Sequence, residues 1–323
     1  MHEKVDRIAL AERQESDGNW SDAVKTWGQL ALDEHDPQIA VRYARALSRV
    51  GRAVDAERVL RDTTKMAIQL ADAHFGLGLL FEAQDRLEEA RQAFEQGLRV
   101  EERQEILTLL GSVQRRLQDL ASAERTFRRS LELNPEDDEA HYGLGLALKD
   151  SNPLEAVEHL SEAVRIDPTL HRVHRELGYA LWRAGQIERA QAALRQAIAA
   201  DPTDGWAHDY LGHIFSEQDN WRAAKDEFAT AAASEPRIGL FWCNLADAHA
   251  RLGDRVQAER HFRRALSVGM GFPVIDRRYG LFLKAGGRFA KARRYLQRAL
   301  EQDPADERAR TALAELEEST NHR

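Results

Sequence analysis

Asp209, His213, Cys243 and Asp247 have the side chains from which a thiol enzyme or a metal centre is assembled. A thiolate needs a base to form it, and a metal needs several such donors facing one point. The spacing invites the comparison, because Cys243 follows Asp209 by 34 residues and Asp247 follows His213 by the same 34. The rest of the sequence gives that chemistry no support: it has no HExxH, no paired CxxC and no glycine-rich phosphate loop. The expectation is a non-catalytic protein with no cofactor and no metal. A different chemistry is better supplied. Arg175, Tyr179, Trp182, Trp206 and Tyr210 stand in the same stretch, and these residue types most often carry binding energy because they join a large contact area to oriented donors.

The interval of 34 is the period of the whole chain, which repeats nine times from about residue 4 to residue 306. A chain of 323 residues would ordinarily suggest two domains. A uniform internal repeat overrides that prior in favour of one elongated array. Ala, Leu, Glu, Arg and Gln dominate, so the class is all-α. The single cysteine, Cys243, forms no internal disulfide, and Met1 to Val5 offers no apolar core for a signal peptide. No apolar stretch approaches the roughly 18 residues that cross a bilayer. A cytoplasmic, membrane-free protein is expected, and Asn19-Trp20-Ser21 is then an accidental glycosylation match. The net charge of −8 argues against a general nucleic-acid scaffold. Residues 239–306 nevertheless hold 13 Lys and Arg against 7 Asp and Glu.

Units begin near Lys4, Pro37, Ala71, Gln104, Asp138, His171, Gly205, Gly239 and Pro273, each counted as offset 1. The spans are 4–36, 37–70, 71–103, 104–137, 138–170, 171–204, 205–238, 239–272 and 273–306. Each predicts two amphipathic helices. Offsets 4, 7, 8 and 11 make the apolar stripe of the first, as in His208, Leu211, Gly212 and Phe215, and Ala224, Phe228 and Ala231 make the stripe of the second. A turn residue at offset 15 separates them: Gly18, Gly51, Asp85, Gly185, Asp219, Gly253 or Gly287. Pro135, Pro168, Pro202, Pro236 or Pro304 ends the second. A small residue at offset 8, such as Gly178 or Gly212, is expected to let the paired backbones approach. Irregularity is expected at Ser151-Asn152-Pro153, where the fifth copy is one residue short, and at Gly269-Met270-Gly271. Residues 307–317 look like a capping helix, and 318–323 like a disordered tail.

Leu177-Gly178, Leu181, Ala190, Leu194, Ala197 and Pro202, then Leu211-Gly212, Phe215, Ala224, Phe228, Ala231 and Pro236, resemble the tetratricopeptide repeat family. The resemblance covers nearly the whole chain. It implies a right-handed superhelical α-solenoid of antiparallel helix pairs, with a concave surface lined mainly by the first helices. Stacking then supplies the stability that no single hairpin has.

With offsets 4, 7, 8 and 11 inward, offsets 2, 5, 9, 12 and 13 lie roughly 80 to 180° round the same helix, and in this family they face the groove. Trp20, Trp27, Trp221 and Trp242 fall at core offsets, as do His74, His141, His174, His208 and His249. The groove is left with Arg172, Arg175, Tyr179, Trp182, Trp206, Asp209, Tyr210, His213, Cys243, Asn244, Asp247 and Arg277. Earlier repeats offer a more apolar floor of Phe75, Leu79, Tyr142 and Leu146. The expected ligand is a peptide or protein segment along repeats six to nine, its acidic groups met by Arg175 and Arg277. Against it stands a plainer reading, in which Arg175 pairs with Asp209 and Asp247 with Arg277. Relatives that hold chaperone tails use Lys and Asn at offsets 5 and 9 of one repeat, a pair absent here. A second reading uses the outer face, where Arg260, Arg263, Arg264, Arg293, Arg294 and Arg298 would assemble the array with itself or a larger complex.

Overall fold

The computed structural model describes residues 2–321 except 68, 170 and 270, and among these the regular elements are 19 α-helices. They divide into two compact units, Met1–Pro168 and Thr169–Arg323. The first holds α1 (His2–Ser16), α2 (Trp20–Glu34), α3 (Pro37–Arg49), α4 (Ala53–Met66), α5 (Ala71–Ala83), α6 (Leu87–Val100), α7 (Gln104–Arg116), α8 (Leu120–Leu133), α9 (Asp138–Leu148) and α10 (Pro153–Ile166). The second holds α11 (His171–Arg183), α12 (Ile187–Ala200), α13 (Gly205–Glu217), α14 (Trp221–Ser234), α15 (Gly239–Arg251), α16 (Arg255–Val268), α17 (Pro273–Ala285), α18 (Phe289–Gln302) and α19 (Glu307–Asn321). Within each unit, odd and even helices pair as hairpins and each hairpin packs on the next, which makes an α-solenoid of antiparallel helix pairs. None of these helices is long and apolar enough to cross a membrane.

The turn between paired helices has a physical signature. Gly18, Gly51, Asp85, Gly185, Asp219, Gly253 and Gly287 all have positive φ, and so has Gln118, which occupies the same offset in the fourth repeat. A left-handed residue ends the first helix and starts the next one back along it. The fifth repeat has no such residue: α9 is only 11 residues long and Asn152 has φ −140°. Met270, in the other junction marked as irregular, lies outside the described residues.

Offset 8 admits the partner backbone, as a Cβ on Gly178 would lie 3.2 Å from the Leu194 nitrogen, and it also does more than expected. A Cβ on Gly212 would lie 2.6 Å from Cε1 of Phe228, and one on Gly178 2.6 Å from Cγ of Leu194. The missing side chain therefore also seats the large residue at offset 24 of the partner helix. Burying that residue is worth about 1.5–3 kcal/mol, and Leu194 and Phe228 are both buried.

The buried sector of the first helices is also wider than one stripe. Val173, Ala207, Phe241 and Ile275 at offset 3, and Ala180, Ile214, Ala248 and Phe282 at offset 10, are all buried. The cause is stacking, because α13 touches α14 of its own repeat and also α11, α12 and α15. At the end of the chain, Ala309, Ala312 and Leu316 seat α19 on the preceding repeat. That helix continues to Asn321, so 318–321 are helical and not the expected disordered tail. Ala309, Ala312, Leu313, Ala314 and Leu316 with the glutamates beside them favour the helix, and no Gly or Pro follows to break it. Residues 322 and 323 lie outside the described residues.

Candidate functional site

The first helices of repeats six to nine, α11, α13, α15 and α17, bring most of the expected groove residues of the second unit into one place. Tyr179 and Trp182 are one turn apart on α11, and Trp206, Tyr210 and His213 follow one another up the same side of α13. Successive first helices stack side by side, so a one-turn ladder on α11 meets a one-turn ladder on α13. The centroids of Tyr179 and Tyr210 are 4.8 Å apart, and Trp182 stacks on His213 at 5.7 Å with 14° between planes. Trp206 lies 6.0 Å from Tyr210 and meets Phe241 edge-on at 4.9 Å.

Polar contacts hold these rings in orientation. Trp182 donates its indole N–H to Glu217 Oε2 at 2.8 Å, and Arg183 Nη1 donates to the Tyr179 hydroxyl at 3.0 Å. Burial among the rings pushes the Tyr210 phenol well above its usual range, so it remains a neutral donor. Tyr179, Trp182, Arg183, Trp206, Asp209, Tyr210, His213, Glu217, Leu240, Asn244 and Arg278 surround an open recess of ≈ 680 Å³. That volume is within the range of small-ligand clefts.

Beneath the rings runs a buried polar chain. Arg278 on α17 donates from Nε to Asp247 Oδ2 at 2.6 Å and from Nη1 to Asn244 Oδ1 at 2.8 Å. Asn244 on α15 donates in turn from Nδ2 to Asp209 Oδ1 on α13 at 2.6 Å, with His213 Nε2 at 3.2 Å from the same nitrogen. The chemistry of the partners fixes the amide: Arg only donates and Asp only accepts, so the Asn244 oxygen must face Arg278. Asp209 and Asn244 are each 4% exposed. Their polar atoms are satisfied by this chain and therefore tie α13, α15 and α17 together beside the recess.

Several expectations need correction. Cys243 is fully buried and burial pushes its thiol up to about 12, so it offers neither a groove contact nor a thiolate. Asp209 and Asn244 touch the recess only from the buried side. Arg175 pairs with Glu176 at 2.9 Å and Asp204 at 3.2 Å, not with Asp209. Arg277 pairs with Asp306 at 2.7 Å, and Asp247 belongs to Arg278. The two cations expected to meet acidic groups are thus engaged within the chain. Arg172 is exposed on α11. Trp242 is half-buried, with its indole N–H on the Pro236 carbonyl at 3.0 Å, and Trp206 is partly a packing residue through Phe241.

In the first unit, Phe75 packs 6.2 Å from Phe94, Leu79 is 40% exposed, and Tyr142 and Leu146 are half-buried on α9. Of the outer-face arginines, Arg298 pairs with Asp276 at 3.0 Å, Arg263 pairs with Glu259 at 2.7 Å, and Arg264 lies over Trp242 at 5.8 Å. Among the described residues, no group of three or more His, Cys, Asp and Glu is placed to hold a metal ion.

Arg183, Glu217, Leu240 and Arg278 line the recess without having been singled out. Offsets 13 and 2 had been assigned to the groove, so the signal for the first three was present. Arg278 stands at offset 6, the offset of the expected groove residues Tyr210 and Asn244, so the same signal marks it.

Tetratricopeptide repeat models match residues 25–99, 108–171 and 210–270, and further such models match 147–214 and 273–316. The chain belongs to the tetratricopeptide repeat family. It is 26% identical over 247 residues to anaphase-promoting complex subunit 3 of Schizosaccharomyces pombe, covering 75% of this chain and 37% of that protein. It is also 26% identical over 261 residues to superkiller protein 3 of the same yeast, covering 76% of this chain and 17% of that one. The chain therefore spans well under half the length of these relatives. A tetratricopeptide repeat protein from Parabacteroides merdae superposes with a TM-score of 0.63 at 14% identity, covering 76% of this chain and 98% of that one.

Proposed function

We propose that this chain is a non-catalytic interaction scaffold that holds a peptide or protein segment against the aromatic face of α11 and α13. One observation carries the reading. Tyr179, Trp182 and Tyr210 stay half-exposed around an open recess, although each makes contacts that fix its orientation. Rigid aromatic side chains lose little entropy on contact and bury much area, the properties of residues that dominate interfaces. A partner would seat an apolar or aromatic side chain among the three rings, and the recess walls supply donors and acceptors for its backbone.

Anaphase-promoting complex subunit 3 is by its name part of a larger assembly. Service within an assembly is the corresponding proposal for this chain. A cytoplasmic setting belongs to the same reading and rests on a sequence with one cysteine, which is buried. The test is affinity capture from the native cell, with Tyr179→Ala/Trp182→Ala as the control and captured chains identified by mass spectrometry. Partners present with the wild type and missing with the double variant are the expected result. An identical set from both proteins would sink the reading.

A further inference from the structure

A second recess of ≈ 660 Å³ opens beside the aromatic one and shares His213, Asn244 and Arg278 with it. Its electrostatics are different. Five arginines, Arg251, Arg255, Arg277, Arg278 and Arg308, line it against one carboxylate, Asp247. Two of the five are neutralised within the chain, Arg277 by Asp306 and Arg278 by Asp247. Arg251, Arg255 and Arg308 form no salt bridge among the described residues, and only Arg251 is close enough to Asp247 to feel its charge. They come from three helices, the end of α15, the start of α16 and the first turn of α19.

Two of these three cations are held in direction by rings. The guanidinium of Arg251 lies 5.3 Å from the centre of Trp221, and that of Arg255 5.1 Å from the centre of Phe282. A cation over an aromatic face keeps its charge while losing freedom, so less entropy remains to be lost when an anion arrives. Trp221, Phe282, Val274 and Leu281 also line this recess. It therefore combines an apolar floor with three guanidinium groups outside any salt bridge.

We infer that this recess takes the acidic stretch of a partner peptide, two or more Asp or Glu side chains next to the apolar residue seated against Tyr179 and Trp182. The inference rests on the peptide reading of the aromatic recess. Guanidinium forks match carboxylates in pairs, and the apolar floor accepts the methylenes of glutamate. A nucleic-acid backbone is the poorer fit. Its path through the adjoining recess would bring phosphates against Glu217 and Asp209, and the chain as a whole carries −8.

The experiment starts from a random dodecapeptide phage library panned on the full chain. Selected peptides are then made with a fluorescein label, together with versions in which Gln replaces every Asp and Glu, and binding is followed by anisotropy. The proteins are the wild type, Arg251→Ala/Arg255→Ala/Arg308→Ala and Tyr179→Ala/Trp182→Ala. All three arginines are exposed, so the triple variant should melt as the wild type does, which circular dichroism checks. We expect acidic residues to be enriched in the selected peptides. The Gln versions should bind about tenfold or more weakly, and the triple variant should lose the same factor for the acidic peptide and little for its Gln version.

Peptides without acidic bias, or with unchanged affinity for the triple variant, would overturn the inference. If such peptides still depend on Tyr179 and Trp182, the aromatic reading survives alone. Acidic peptides that need the arginines and ignore Tyr179 and Trp182 would sink the aromatic reading and leave the acidic recess. Failure to select any peptide counts against both. Arginine-dependent binding of a short DNA duplex in preference to every acidic peptide would replace the inferred partner with a nucleic acid.

Discussion

Replacing Gly212 with alanine sets a Cβ 2.6 Å from Cε1 and 2.7 Å from Cδ1 of Phe228, where carbon atoms normally settle about 3.5 to 4 Å apart. The ring is 2% exposed and has little room to withdraw. Overpacking of this kind costs about 1–3 kcal/mol, while alanine is the better helix former by about 1 kcal/mol. The net expectation is a loss of about 0–2 kcal/mol. Phe228→Ala alone should cost about 3–5 kcal/mol, since it empties a core site. In that background the clash is gone, and Gly212→Ala should become stabilising by up to about 1 kcal/mol. A double-mutant cycle should therefore report a coupling of about 1–3 kcal/mol. Repeat arrays open in parts, so the readout is hydrogen exchange of the α13 and α14 amides by mass spectrometry. Equal effects of Gly212→Ala in the two backgrounds would refute the seating of offset 24 in offset 8.

Other perturbations reach other parts of the account. Asn244→Ala leaves Asp209 without its nearest donor inside the structure, and should cost about 1–3 kcal/mol in urea denaturation; no loss would mean that the polar chain across α13, α15 and α17 contributes nothing. Cys243 should react with a thiol reagent only as fast as the second unit opens, and rapid labelling under native conditions would contradict its burial. His208 Nδ1 lies 2.6 Å from Glu227 Oε2, a hydrogen bond that raises the pKa of His208. The stability from that pair is present below the unfolded pKa of histidine and is lost as pH rises through the raised folded value. Glu227→Gln should thus lower the melting temperature at about pH 5.5 and leave it unchanged at about pH 9; the reverse pattern would show that His208 is held neutral.

The period made the helix pairs, their turns and their terminators legible, because glycine, proline and a 3.6-residue stripe each constrain the backbone locally. Gln118 shows the limit. It adopts the same left-handed turn as Gly185 and Gly253, imposed by the hairpin, and its residue type gave no sign of it. Tyr179, Trp182, Trp206 and His213, which line one recess, share offsets that mark one side of the first helix. Asp209 and Cys243 could not be told from them, since burial at offset 5 comes from the neighbouring repeat. The misassigned ion pairs have the same origin. Arg277 and Arg278 are adjacent in sequence but about 100° apart around α17, so one reaches Asp306 and the other Asp247 and Asn244. The division at residue 168 leaves no mark in a period that runs through it.

The central claim is that a partner segment binds on the aromatic face of α11 and α13, and calorimetric titration of a captured segment into wild type, Tyr179→Ala and Trp182→Ala tests it most directly. Each substitution should cost about 2 kcal/mol or more in binding, on the order of 30-fold in Kd, while melting temperatures stay level. Equal affinity for all three proteins would contradict it.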